Sequence, residues 1–343
     1  MQFLWMPHSS RRNALLAAAA KGDEQALRKV IEGGLDKIDT VDQEGRSPLA
    51  LAAASASVGC VSLLLDAGFK PEVCSTIGDT PLHAAAQRGR LEAIRLLLEA
   101  RAAVDVQNQA GITPLYAASF GGHVECVAAL CDAAASVIAR RPDGSTPVHI
   151  ACKQGHAPVL KVLLSRAPEL ARQTMQGGTG PLFVSAAYNR LACLRVLLGH
   201  GAEVDGSPAA CPLHVACREG FVSIAQELLS RSAKPDQLNA DGQSPLHAAA
   251  IGGHLECVAV LCTAGADSTL LWKGKTAKQL ATGHQHDHVV ALLSKEGQGV
   301  RQSSTRSMPS VGVEMHCTPA VVKHDAPLQR DGMPPAGAES GIA

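Results

Sequence analysis

The feature that most constrains this chain is a short phrase, Ser/Thr-Pro-Leu-His-x-Ala with variants, that recurs at a nearly fixed interval. Its copies read SPLALAAA, TPLHAAA, TPLYAAS, TPVHIAC, GPLFVSA, CPLHVAC and SPLHAAA, with prolines at Pro48, Pro81, Pro114, Pro147, Pro181, Pro212 and Pro245. The intervals between these prolines are 33, 33, 33, 34, 31 and 33 residues. Seven copies in register indicate a repeat architecture, in which one supersecondary unit is stacked many times.

Each repeat contains the signals of two helices and a turn, and the third repeat illustrates them. Thr80 can cap a helix with its hydroxyl, and Pro81 suits the first helical position, where its missing N–H costs nothing. Gly89 can end this first helix in the left-handed conformation. Leu91 and Ile94 then begin an apolar series at helical spacing. Such a unit cannot bury its apolar faces alone, so we expect stacked units to share one continuous core.

Two weaker copies flank the seven, and the periodicity stops beyond them. Ala14 and Ala277 occupy the proline position in these end copies, as expected for terminal repeats that have solvent on one side. We therefore predict about nine repeats over residues 13–295, after an N-terminal flank of residues 1–12. Residues 296–343 are rich in Gly, Pro and Ser and are predicted to form a disordered C-terminal tail.

The period and the phrase together resemble the ankyrin repeat. The resemblance implies an all-α solenoid of stacked helix-turn-helix units with short hairpin loops, and partner binding on the concave side of the stack. It also implies structural hydrogen bonds between adjacent loops from the histidines after the prolines, which are His83, His149, His214 and His247. The second repeat departs from the pattern, with Ala56 where the others have Gly or Asn189. The 31-residue interval predicts a shorter hairpin near residues 205–210.

Charge, hydropathy and cysteine content exclude several classes of function. Lys+Arg and Asp+Glu both number 31, and a neutral chain has no field that draws it to nucleic acid. No apolar stretch reaches the roughly 20 residues needed to span a bilayer, so no membrane insertion is expected. The 11 cysteines, an odd number, indicate reduced thiols and an intracellular protein, located in the cytoplasm or also in the nucleus.

The residues that could carry catalysis or bind a metal have simpler structural interpretations. The four histidines after the prolines lie in separate repeats and cannot converge on one ion. Cys126 and Cys257 share one position on the apolar stripe of a second helix, which predicts buried thiols. The HQHDH segment, with His284, His286 and His288, carries residue types that bind metals, but we interpret it as a solvated turn in the last repeat. We therefore predict no enzyme activity, no catalytic residue, no metal and no cofactor.

The candidate partner-binding residues are the two positions before the residue that ends each first helix, here called the terminal slots. The resemblance implies that they line the concave groove, and the candidates are Gln87, Arg88, Phe120, Lys153, Gln154, Tyr188, Arg218, Glu219 and Ile251. Phe120, Tyr188 and Ile251 alternate along the chain with Lys153 and Arg218. Aromatic anchors with interspersed Arg are typical of interface hot spots. The alternative, that Phe120 and Tyr188 pack under neighbouring helices as core, stays open at this point.

Together these features predict a non-catalytic adaptor or scaffold that binds another protein through the concave groove and the hairpin tips. We expect this protein to be monomeric. The alternative is a regulatory or inhibitory subunit that controls a partner enzyme, including one that recruits substrates to a ubiquitin ligase. The two hypotheses differ in one measurable respect, because only the second predicts a change in the activity of the partner.

Overall fold

The computed structural model describes residues 8–33 and 40–299, and within them each repeat contributes two α-helices. The first helices of the repeats are α1 (His8–Lys21), α3 (Pro48–Ala54), α5 (Pro81–Gln87), α7 (Pro114–Gly121), α9 (Pro147–Gln154), α11 (Pro181–Ala187), α13 (Pro212–Glu219), α15 (Pro245–Gly252) and α17 (Ala277–Gly283). The second helices are α2 (Glu24–Glu32), α4 (Val58–Asp66), α6 (Leu91–Glu99), α8 (Val124–Asp132), α10 (Ala157–Arg166), α12 (Leu191–Gly199), α14 (Val222–Ser230), α16 (Leu255–Thr263) and α18 (Asp287–Gly299). The predicted all-α class is confirmed.

The first helices begin where the proline phrase predicts. Pro81 is the first residue of α5, and the hydroxyl of Thr80 accepts the backbone N–H of His83 at 3.4 Å. A second hydrogen bond runs the other way, since Nδ1 of the His83 ring accepts the backbone N–H of Thr80 at 3.2 Å. This two-way cap satisfies N–H groups that a helix start leaves without partners. The same cap joins Thr146 to His149 and Ser244 to His247.

Neighbouring repeats pack like with like. First helices contact first helices, as in the series α3, α5 and α7, and second helices contact second helices, as in α4, α6 and α8. The contacts bury Leu82 and Leu115 on first helices, and Leu97 and Leu130 on second helices, all at 0% exposure. Burying one leucine side chain contributes about 1.5–3 kcal/mol. The shared core between repeats, and not any single repeat, therefore stabilises the fold.

Short hairpin turns join the repeats. In the turn before α7 the N–H of Asn108 donates to Ile112 O at 3.0 Å, and Gly111 has a left-handed φ of 71° that would strain a side chain. The tip of this turn also bonds to its neighbour, because the N–H of Gln109 donates to Ile77 O at 3.0 Å. Hydrogen bonds thus link these two turns as well as closing each one.

The regular pattern breaks around the sixth repeat. Pro168 stops α10, and the chain then forms two 3-10 turns, Pro168–Arg172 and Gln176–Gly178, that the sequence analysis does not predict. Gly180 replaces the capping residue, so α11 begins without a side-chain cap. After α12, an isolated bridge pairs Ser207 with Ala210 and closes a tight turn where a shorter hairpin is predicted.

The boundaries of the repeat array can be compared with the predicted ones only in part. No helix in residues 8–33 or 40–299 combines the length and apolar character that a membrane span requires. The last helix, α18, runs to Gly299, past the predicted boundary at residue 295. The rest of the predicted tail, residues 300–343, lies outside the described residues, as do residues 1–7 of the predicted flank.

Candidate functional site

The terminal slots lie in the last turn or at the C-cap of the first helices. Gln87 ends α5, whereas Arg88 and Tyr188 are the C-caps of α5 and α11. The last turns of α7, α9, α13 and α15 hold Phe120, Lys153 and Gln154, Arg218 and Glu219, and Ile251. Arg88, Arg218 and Glu219 are exposed, and the other slot residues are half-buried. Phe120 and Tyr188 therefore keep part of their surface at solvent, unlike the core leucines.

The structure brings slots of the fifth and sixth repeats into direct contact. Lys153 Nζ lies 5.3 Å from the centroid of the Tyr188 ring, which is a cation–π contact between repeats. In the seventh repeat Arg218 pairs with Glu219 instead, with 2.9 Å between Nε and Oε1. The slots thus present a row of aromatic, aliphatic and charged side chains, one group per repeat.

A set of hydrogen bonds that the sequence analysis did not identify fixes the backbone at these slots. In each case the residue just before a second helix donates from its side chain to a slot carbonyl of the preceding repeat. The bonds run from Arg90 Nε to Ala54 O (3.3 Å), His123 Nε2 to Gln87 O (3.1 Å), His156 Nε2 to Phe120 O (3.0 Å), Arg190 Nε to Lys153 O (3.1 Å), His254 Nε2 to Arg218 O (2.9 Å) and His286 Nε2 to Ile251 O (2.9 Å). We call this set the carbonyl ladder.

The glycines that end the first helices are required by the carbonyl ladder as well as by their backbone angle. Gly155 has a φ of 90°, and a Cβ added there would lie 2.8 Å from Cδ of Arg190. Gly122 has a φ of 74°, and its Cβ would lie 2.6 Å from Cε1 of His156. The ladder side chains pack directly against these glycines, so any side chain at either position would displace them.

Two junctions of the described repeats lack a ladder bond. At the first of them Ser57 stands before α4, and its hydroxyl caps that helix by accepting the N–H of Cys60. At the second, Phe221 stands before α14, in the position where the third to sixth, eighth and ninth repeats have His or Arg, and its ring has no N–H to donate. The residue that ends the preceding first helix is Asn189, with a φ of 54°, instead of glycine. The sequence signal for the ladder is therefore the recurrence of His or Arg just before the second helix, with Ser57 and Phe221 as the exceptions after the first repeat.

Three of the four histidines after the prolines, His83, His214 and His247, make the inter-repeat bonds that the resemblance implies. The fourth, His149, keeps its cap to Thr146, but its buried Nε2 has no hydrogen-bond partner within the described part of the chain. His83 Nε2 donates to Ile112 O at 2.9 Å, and because a carbonyl can only accept, this nitrogen carries the ring proton. The hydroxyl of Thr80 therefore donates to Nδ1, also at 2.9 Å. Burial lowers the pKa of His83, and it lowers the pKa of His149 to about 4. Both nitrogens of His83 serve the fold, which leaves neither for proton transfer.

The second-helix cysteines are buried, as predicted. Cys126 and Cys257 have exposed fractions of 2% and 0%. Burial raises the pKa of the Cys126 thiol to about 11. A thiol held protonated in an apolar environment is a structural residue, because the thiolate is the nucleophile and the metal ligand.

The HQHDH segment makes inter-repeat contacts at the last joint. His286 Nε2 donates to Ile251 O at 2.9 Å, and His288 Nε2 donates to Gly253 O at 3.0 Å. The ring centroids of neighbouring histidines are 6.1 Å apart. Among the residues that the structure describes, no three or more His, Cys, Asp or Glu side chains are grouped so that they could hold a metal ion.

Comparisons with known proteins point to one kind of repeat. The family model for ankyrin repeats (3 copies) matches residues 59–141, 135–207 and 212–304. The chain is 36% identical over 101 residues to ankyrin repeat and SOCS box protein 11 of Pongo abelii, covering 29% of this chain and 31% of that relative. It is 34% identical over 70 residues to human protein phosphatase 1 regulatory subunit 27, covering 20% of this chain and 46% of that relative. The matches therefore span less than half the length of either relative.

The fold is similar to a solved structure as well. The crystal structure of the human ASB11 ankyrin repeat domain superposes with a TM-score of 0.57 at 27% sequence identity. The superposition covers 68% of this chain and 100% of that chain.

Proposed function

The chain belongs to the ankyrin-repeat family, and from that premise we propose that it is a non-catalytic scaffold or adaptor. It binds a partner protein along the terminal slots and the hairpin tips. Repeats of this kind bind proteins by presenting variable side chains on a fixed frame. A stable complex buries about 800 Å² on each side, which several consecutive repeats can supply.

The observation that carries this proposal is the row of part-exposed side chains held in place by the carbonyl ladder. Phe120, Lys153 and Ile251 each have a main-chain carbonyl that accepts a hydrogen bond from the next repeat. Their backbone is therefore ordered before a partner arrives, and binding costs less conformational entropy. Large side chains on an ordered backbone are the usual composition of an interface hot spot.

The hairpin edge offers a second set of contacts. Leu238 and Leu271 precede the tips of two consecutive hairpins, and their exposed fractions are 47% and 64%. Ile77, at the tip of an earlier hairpin, is 50% exposed. Apolar side chains displayed on consecutive hairpins support the inclusion of this edge in the partner-binding surface.

A second candidate function is control of a partner enzyme. The names of two relatives favour it, since one is a protein phosphatase 1 regulatory subunit and another is an ankyrin repeat and SOCS box protein. The same terminal slots would serve this function. The two candidates are separated by measuring the activity of a captured partner enzyme with and without this protein.

The proposal is tested by placing charge in the apolar terminal slots. We expect one dominant partner to copurify with the wild-type chain, and a variant with Phe120→Glu, Tyr188→Glu and Ile251→Glu to retain at most about a tenth of it. Mass spectrometry identifies and quantifies the partner, and circular dichroism checks that the variant is folded.

A matched control carries Val58→Glu and Leu255→Glu, which alter exposed apolar residues at the start of second helices. This control should retain the partner at the wild-type level. A partner that persists on the folded triple variant would show that the terminal slots are not the binding site, and the hairpin tips would be substituted next.

A further inference from the structure

Two kinds of side chain alternate along the terminal slots. The fourth, sixth and eighth repeats present the large apolar side chains of Phe120, Tyr188 and Ile251, whereas the fifth and seventh repeats between them present Lys153 and Arg218. A partner that follows the slots in order meets an apolar contact and a cation in alternate repeats.

Two cationic side chains, Lys153 and Arg190, come together where the fifth and sixth repeats meet. Lys153 Nζ lies over the Tyr188 ring, and Arg190, which bonds to Lys153 O at 3.1 Å, adds a guanidinium in the same two repeats. The acidic slot residue, Glu219, lies in the seventh repeat and is paired with Arg218 at 2.9 Å. An anionic group of a partner is therefore complementary to the fifth and sixth repeats.

The spacing of the slots constrains the conformation of a chain that follows them. First helices of neighbouring repeats are in contact, so their slots are about 8–10 Å apart. A polyproline-II helix has three residues per turn and rises about 3.1 Å per residue, so every third side chain points the same way after about 9 Å. A β-strand returns a side chain to the same face at every second residue, after about 7 Å, and fits this spacing poorly.

The carbonyl ladder also disfavours a partner that pairs its backbone with these slots. The carbonyls of Gln87, Phe120 and Lys153 already accept N–H groups from the next repeat. An added β-strand depends on main-chain hydrogen bonds, whereas a polyproline-II segment keeps its backbone solvated. An amphipathic helix needs a continuous apolar groove, and the cation of Lys153 interrupts one here.

From these observations, and resting on the proposed function, we infer that the partner presents an extended polyproline-II segment with one carboxylate between two large apolar side chains. The apolar side chains stand three residues before and three residues after the carboxylate. The carboxylate lies against Lys153 and Arg190, and the flanking side chains lie against Phe120 and Tyr188.

Selection of random peptides displayed on phage, with the full chain as bait, tests this inference. The wild type should enrich peptides with Asp or Glu flanked by large apolar residues at the third position on each side. Lys153→Glu should shift the central preference to Lys or Arg and weaken a resynthesised acidic peptide by about tenfold. The matched control, Lys161→Glu, alters an exposed lysine of the same repeat on α10 and should change affinity by less than about twofold.

The outcomes separate this inference from the proposed function. A spacing of two or seven residues would indicate a strand or a helix and would overturn the inference, as would an acidic preference that Lys153→Glu leaves unchanged. If the wild type enriches peptides that lack a central acidic residue, and the triple variant does not bind them, the proposed function is supported and the inference is overturned. Failure of the wild type to enrich any peptide would overturn the inference, and the copurification test then decides whether the proposed function holds. Equal enrichment by the triple variant would remove both. A peptide with central phosphoserine that binds over about tenfold tighter than its Glu counterpart would assign the position to phosphate and overturn the carboxylate.

Discussion

The third and sixth repeats build the same pair of helices with different polar contacts. In the third repeat Thr80 and His83 cap each other, and the His83 ring reaches Ile112 O in the next hairpin. In the sixth repeat Gly180 and Phe183 occupy these two positions, and α11 begins without a side-chain cap. The helix forms in both cases, so the cap adds to a fold that apolar packing already determines.

The seventh repeat extends this contrast. Cys211 stands at the cap position and makes no side-chain cap, and the buried Nδ1 of His214 has no hydrogen-bond partner. Leu182 and Leu213 are nevertheless buried at 4% and 3% exposure, much like their counterparts in regular repeats. The sixth and seventh repeats thus keep the core and lose polar contacts, which makes their junction the place where we expect the array to open most easily.

The largest expected effect on the free energy of unfolding comes from comparing a first helix that ends at glycine, Gly155, with one that ends at Asn189. Gly155→Ala should cost about 2–3 kcal/mol, because alanine is strained at this positive φ and its Cβ meets the Arg190 side chain. Asn189→Ala should cost about 1 kcal/mol, because the backbone angle is strained but Phe221 supplies no ladder donor. Urea unfolding followed by circular dichroism measures both. Equal losses would mean that contact with the ladder side chains adds nothing to the requirement for glycine.

The next effect is a loss of stability in acid that arises from the capped repeats. Burial lowers the pKa of His149 from 6.5 to about 4 in the folded chain. The contribution of His149 to stability is fully present above pH 6.5, the pKa of this group in the unfolded chain, and it decreases as the pH falls below that value. The reason is that the unfolded chain binds a proton at a pH where the folded chain does not. The loss is about 1.4 kcal/mol per pH unit, or about 2 kcal/mol between pH 6.5 and pH 5 for this group.

His149→Gln should flatten the dependence of the free energy of unfolding on pH between these values. His200→Gln, which alters an exposed histidine, serves as the control and should leave the slope unchanged. The capped histidines His83 and His247 also have a lowered pKa through burial, so the wild-type slope should exceed the contribution of one group. A flat wild-type profile would contradict the assignment of neutral, buried imidazoles.

The smallest effect is a gain from repairing the uncapped seventh repeat. Cys211→Ser should raise the free energy of unfolding by about 1 kcal/mol, because a serine hydroxyl can cap α13 and also reach Nδ1 of His214. Cys217→Ser makes the same chemical change at a fully buried position of α13 and should destabilise the chain. A loss of stability for both variants would show that the cap position of this repeat cannot accept a hydroxyl.

The fold could be predicted from the sequence because Pro and Gly act locally. Pro81 fixes where a helix begins and Gly89 fixes where it ends, whatever the surroundings. The carbonyl ladder was missed because its acceptors are main-chain carbonyls, which every residue has and no sequence marks. His156 and Arg190 carried the signal, but neighbouring repeats use different donors for one role, so the recurrence is visible only with the structure.

The candidate site was predicted in part. The positions of Phe120, Lys153 and Tyr188 at the ends of first helices follow from the repeat frame, whereas the contact between Lys153 and the Tyr188 ring depends on how two repeats are stacked. The two 3-10 turns before α11 were not predicted, because they arise where Pro168 interrupts a segment that the frame assigns to an ordinary hairpin. Whether the terminal slots bind a partner stays a prediction.

The matched pair of Gly155 and Arg190, and its equivalents at other joints, governs which copies of the unit can be recombined. When one whole repeat is duplicated, a ladder donor again faces a glycine at each of the two new boundaries. The array can therefore lengthen without any change in the contacts between repeats. A copy inserted next to Asn189 and Phe221 meets a boundary of a different kind. The joints between the third and sixth repeats therefore share one chemistry, as do those between the seventh and ninth, and the junction at Asn189 and Phe221 separates these two sets of exchangeable repeats.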